Sequence, residues 1–244
     1  MILDGVQSAQ YDIDSFLMMG QSNMAGRGAI GEVAPILDDR CFMLRNGRWQ
    51  KMSEPINPDR AIFGGEFSSG ISPAASFATH YAETTRRAVG LIPCADGGTQ
   101  LSQWMPGEVL FDHAVLQAQL AMRSSVLKGV LWHQGESDCS DDKDIAAYYE
   151  RFCHMAIQLR LQLKNPDLPI IIGEIAGDIS DRWAMNDRNK TLNSILSHLA
   201  QDVPNVRLAS AAGLTLKADG IHFDAASCRT LGNRYFFVYR ESFL

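Results

Sequence analysis

The chain has 244 residues, 46% of them hydrophobic, and a formal net charge of -6. That length and apolar share suit one large α/β domain over 1–244, with no internal repeat or linker-like tract to divide it. The acidic balance and the lack of a Lys/Arg block argue against nucleic acid as a partner, and no apolar run has the length of a membrane span.

The N-terminus, Met1 to Asp14, is mixed and acidic. It has neither the basic start nor the apolar core of a secretory leader, so a cytoplasmic location is expected. Phe16–Met19 reads as a short buried strand that stops at Gly20, with Gln21, Ser22 and Asn23 directly after it. Ser22 suits two roles there: the cap of a helix, or a hydroxyl held outside the carboxyl end of a strand, where α/β proteins place their chemistry. Residues 23–36 are Gly-rich and irregular. Cys41–Leu44 and Gly47–Trp49 read as a small hairpin turning at Asn46-Gly47. Residues 53–73, with three prolines and Gly64, Gly65 and Gly70, read as a long structured loop. Pro73 opens a helix capped by Ser72.

Val89–Ala95 is the next buried strand, ending in Asp96-Gly97-Gly98-Thr99. Residues 110–127 carry a helical pattern. Gly129–Trp132 is a third strand, ending in His133-Gln134-Gly135-Glu136. A long helix over 141–163 has an acidic first turn, which suits the helix dipole better than a metal site for Asp138, Asp141, Asp142 and Asp144. Leu168–Ile172 is a strand, 187–200 a helix and Val206–Ala209 a last short strand. Asp219-Gly220-Ile221-His222 precedes a closing helix over 225–241, capped by Asp224. The five cysteines are odd in number and form no C-x-x-C, so they read as buried thiols in a reducing compartment.

Strands alternating with helices imply a parallel sheet covered on both faces. The polar clusters after the first three strands then converge on one edge of that sheet. A hydroxyl, a Gly-rich loop and an amide side chain would meet there, the parts of an acyl-transfer site. Of six histidines, His80, His113, His154 and His198 fall in helical segments. His133 follows a strand. His222 lies three residues after Asp219, a spacing that lets the carboxylate hold the imidazole in one tautomer.

Gly20-Gln21-Ser22-Asn23-Met24-Ala25-Gly26, Gly97-Gly98-Thr99, His133-Gln134-Gly135-Glu136-Ser137-Asp138 and Asp219-Gly220-Ile221-His222-Phe223 together resemble the SGNH/GDSL hydrolase superfamily. The closer resemblance is to its sialate O-acetylesterase and acetylxylan-esterase-like branch, carbohydrate esterase family 6. It runs in order from Phe16 to about Tyr239. The resemblance implies a flavodoxin-like three-layer α/β/α sandwich with five parallel strands. It implies Ser22 as nucleophile, His222 as base and then acid, and Asp219 as its orienting partner. The oxyanion hole would combine the Ser22 N–H, the Gly98 N–H and the Gln134 side chain. Gln134 stands where the wider superfamily has Asn, which points away from the lipase branches.

The expected activity is removal of O-acetyl groups from a carbohydrate of sialic acid or xylan type, without a metal or cofactor. A broader short-chain acyl hydrolase and a non-catalytic carbohydrate-binding relative are the alternatives. Substrate contacts are expected from Asn23, Arg27, Gly97, Trp104 and Glu136. For Asn23 and Arg27 support of the loop is an equal reading; Glu136 could also partner a histidine, and support of the loop is its favoured reading. Trp49, Trp104 and Trp183 fall in loop-like regions, where a ring can stack on a sugar.

Overall fold

The computed structural model describes residues 13–58, 68–179 and 181–244, leaving out the Arg182 side chain. Residues 1–12 of the N-terminal lead-in and the loop glycines Gly64 and Gly65 lie outside the described residues, whereas Ile13 and Asp14 of that lead-in open the first strand. The first strand, β1 (Ile13–Gly20), is buried from Asp14 onward. Both of its faces are covered, which is why it reads as a continuous apolar run and not as an alternation. A single turn, α1 (Ser22–Ala25), follows it. The predicted hairpin forms as β2 (Cys41–Arg45) and β3 (Arg48–Lys51), antiparallel. Asn46 and Gly47 both adopt positive φ, 52° and 72°, as a tight twisted turn requires.

Next come α2 (Pro73–Thr85), β4 (Ala88–Pro93), α3 (Val109–Ala121) and β5 (Val126–His133). The chain continues through α4 (Asp142–Gln162), β6 (Ile170–Gly173), α5 (Arg188–Asp202), β7 (Val206–Ala209) and α6 (Ala225–Phe243). The predicted caps are present. Ser72 Oγ accepts from the Ala74 N–H, and the Asp224 carboxylate accepts from the Ser227 N–H. Leu127, expected in the helix before it, belongs to β5. It pairs with Ser15 of β1 while the Ser125 hydroxyl bonds Ser15 Oγ at 2.9 Å. Leu120 and Leu127 are seven apart, a spacing that fits a helix equally well, and strand pairing decides between the two.

The sheet has seven strands in the order β3-β2-β4-β1-β5-β6-β7. Strands β4-β1-β5-β6-β7 reproduce the flavodoxin order 2-1-3-4-5 that the resemblance implied. The hairpin corrects the expected size. Its strand β2 joins β4 in parallel, Cys41 opposite Val89, so six strands run parallel and β3 alone is antiparallel. Side chains on alternate sides of each strand enter two cores. Leu17, Met19, Val130, Trp132 and Ile172 pack with α3, α4 and α5. Phe16, Met18, Leu131 and Ile171 pack with α2 and α6. The chain order reverses between β1 and β5, so the crevice at their carboxyl ends is the place for a ligand.

Candidate active site

Gly20 ends β1 beside the end of β5. Its φ is +121°, and a Cβ there would stand 2.1 Å from the His133 carbonyl oxygen. Only glycine fits, and the close approach lets the Gln21 N–H donate to that oxygen at 2.8 Å. The chain then turns at once into α1, which presents Ser22. The capping role is not the one Ser22 takes: Gln21 holds the N-cap position and Ser22 is the first helical residue.

Ser22 Oγ lies 2.9 Å from His222 Nε2, and His222 Nδ1 lies 2.9 Å from Asp219 Oδ2. The other oxygen of Asp219 accepts the N–H groups of Ile221 at 3.0 Å and His222 at 2.9 Å. Burial alone would raise the Asp219 pKa. The two backbone donors and the imidazole outweigh it and bring the carboxyl down to about 2. An ionised Asp219 accepts from Nδ1–H, which leaves Nε2 to take a proton from Ser22.

Asn23 bears on the same geometry. Its Nδ2 donates to the Ile221 carbonyl at 3.2 Å, and its Oδ1 accepts the Phe223 N–H at 3.1 Å. It therefore grips the backbone on both sides of His222. The same Nδ2 donates to Glu136 Oε1 at 2.5 Å. Glu136 is 3.7 Å from His133 Nε2, and His133 Nδ1 is 3.2 Å from the Tyr235 hydroxyl. Burial pushes the Glu136 carboxyl up, but His133 and the Asn23 amide hold it below the usual range. Of the readings weighed for Asn23, loop support is the one its bonds match. Glu136 is the acceptor behind it, though it also borders the cleft.

A cleft of about 710 Å³ opens over Ser22 and His222, bordered by Arg27, Gly97, Gly98 and Trp183. Gly97 lets Arg27 lie close: a Cβ at 97 would come within 2.5 Å of the guanidinium. The N–H groups of Ser22 and Gly98 have no backbone acceptor among the described residues. Gln134 does not border the cleft. It is fully buried, with Nε2 donating to Asp138 and to the Thr99 carbonyl at 2.9 Å, and Oε1 accepting from the Tyr148 hydroxyl at 3.0 Å. Its amide ties the Thr99 and Asp138 segments to α4 beneath the site instead of pointing into it.

Trp104 also departs from expectation. It is fully buried, packs edge-on to Trp132 at 5.6 Å and donates its N–H to Thr99 Oγ1. Of the three tryptophans read as possible sugar contacts, Trp183 is the one bordering the cleft.

Two residues at the site carry more than their sequence suggested. Asp138, read as a helix-start acid, is buried and accepts from Gln134 and from the Leu101 N–H. Burial raises its pKa to about 6 against the opposing effect of those donors. Gln21 Oε1 accepts the N–H groups of Gly135 and Ser137, at 3.4 and 3.3 Å. The only sequence signal for either was its place inside a motif block. The remaining acids of the cluster are accounted for: Asp141 caps α4, Asp142 pairs with Arg188 and Asp144 with Arg151. All five thiols are free, and four of them are buried.

The sequence matches the model of the family described as carbohydrate esterase, sialic acid-specific acetylesterase, over residues 12–241. It is 32% identical over 238 positions to a probable carbohydrate esterase of Arabidopsis thaliana, covering 89% of this chain and 86% of that one. An Arabidopsis thaliana protein solved by X-ray crystallography superposes with a TM-score of 0.85 at 27% identity, over 95% of this chain and 100% of that one. The crystal structure of NanS superposes with a TM-score of 0.74 at 16% identity, over 96% and 98%, a likeness of fold. No helix among the described residues is long and apolar enough to cross a membrane. The family match, over nearly the whole length and including every segment that builds the cleft, makes this chain a carboxylic ester hydrolase of the carbohydrate esterase, sialic acid-specific acetylesterase family.

Proposed function

We propose that the chain removes O-acetyl groups from a carbohydrate of sialic acid or xylan type through an acyl-enzyme on Ser22. The observation that carries this is the unbroken hydrogen-bonded line Ser22 Oγ–His222 Nε2, His222 Nδ1–Asp219 Oδ2, each step 2.9 Å, opening on the cleft. His222 Nε2 takes the hydroxyl proton as Oγ bonds to the acetyl carbonyl carbon. The negative oxygen that forms accepts the N–H groups of Ser22 and Gly98. When the tetrahedral adduct collapses, the bond to the sugar oxygen breaks, and His222 passes that oxygen the proton. Water then repeats the sequence on the acetyl-serine, releasing acetate. Gln134 contributes by fixing the Thr99 and Asp138 segments that shape the floor of the site.

The test is a screen of mono-acetylated sialic acid and xylo-oligosaccharide esters by acetate release, run beside acetyl and octanoyl esters of one chromogenic alcohol. Release from at least one sugar acetate, and faster turnover of acetyl than octanoyl, is the expected result. Preference for octanoyl would move the protein to the broader acyl hydrolases.

A further inference from the structure

Trp183 is 44% exposed and borders the cleft. Its indole N–H donates to the Asp219 carbonyl at 2.9 Å, which hangs the ring from the same turn that carries His222. Met185 and Ile221 border the cleft beside it. The mechanism decides what occupies this side. The leaving alcohol must receive its proton from His222 Nε2, so the sugar lies on the imidazole side of the reacting carbon while the acetyl group faces the Gly97–Gly98 loop.

We propose that Trp183 is the platform on which the leaving sugar ring stacks, and so a determinant of which alcohols the enzyme accepts. This rests on the esterase reading above. A pyranose presents an apolar face of C–H groups and a polar edge, and a ring anchored at its N–H covers that face while leaving the hydroxyls to the open cleft. The area such a ring covers is worth about tenfold in affinity.

Two measurements test this. In the first, kcat/KM is compared for a mono-O-acetyl methyl pyranoside and for ethyl acetate, whose alcohol has no ring. Trp183→Ala lowers the sugar-to-ethyl ratio by about tenfold through KM, and Trp183→Phe restores most of it. A ratio unchanged in Trp183→Ala overturns the proposal, since the residue would then serve only to hold the Asp219 turn. In the second, Ser22→Ala protein is titrated with the same acetylated pyranoside while tryptophan emission is followed. The emission change expected on binding disappears in Ser22→Ala/Trp183→Phe, and its persistence there contradicts the platform. If wild type and Ser22→Ala release acetate equally, the esterase reading fails, and the titration still decides whether the sugar sits on Trp183.

Discussion

His222 is placed by its neighbours on both sides in sequence. Asp219 takes the N–H groups of Ile221 and His222, and Asn23 takes the Phe223 N–H while donating to the Ile221 carbonyl. Each of these bonds is worth about 1 kcal/mol in stability, but a small shift in the imidazole acts on the rate far more strongly. Asn23→Ala is therefore expected to lower kcat by about tenfold to a hundredfold with KM nearly unchanged. Steady-state kinetics on a soluble acetyl ester reads the split, and a change confined to KM would return Asn23 to a substrate-binding role. Asp219→Asn removes the acceptor that selects the Nδ1–H tautomer, and kcat should fall by a factor on the order of 10⁴. At this scale the sequence was most informative where partners are local: Asp219 and His222 share one turn. It was least informative for Gln134 and Trp104. Nothing in a run of residues says on which side of a strand's end a side chain leaves, and here Tyr148, Asp138 and Thr99 hold Gln134 and Trp104 away from the cleft.

The elements that carry the site are held by close contacts between strand ends. Gly20 has both a positive φ and no room for a Cβ against the His133 carbonyl. Gly20→Ala must either separate β1 from β5 or distort the turn before Ser22. It is expected to destabilise the protein by about 3 kcal/mol or more and to lower activity in what remains folded, read by urea unfolding and acetate release together. Trp104→Ala separates a core role from a sugar contact. It empties a large fully buried site and should cost about 3–5 kcal/mol, with the preference between sugar and ethyl acetates retained by the folded fraction. Strands, helices and caps were legible because apolar period, Gly/Pro punctuation and capping residues are local signals. The attachment of β2 to β4 was not. A hairpin's own sequence specifies its turn, whereas the partner of its outer edge is set by a strand more than forty residues on.

For the whole molecule, one edge of the sheet gathers the four motif segments into a single cleft, and a buried acid beneath it links that edge to pH. The Asp138 pKa, raised to about 6, exceeds that of a carboxyl in the unfolded chain. The folded state therefore holds more protons between about pH 4 and about 6, and stability falls as pH rises through that window, by about 3 kcal/mol from this group. Asp138→Asn should flatten that part of the pH profile of urea unfolding, and parallel profiles for the two proteins would assign the dependence elsewhere. The cleft itself, built from segments two hundred residues apart, rests on Ser22 being the attacking group. The most direct test is the rate of acetate release from an acetyl ester by wild type and by Ser22→Ala, with folding of the variant checked by its unfolding transition. A fall in kcat on the order of 10⁴ or more, with the transition retained, is the predicted result; activity within tenfold of wild type would contradict it.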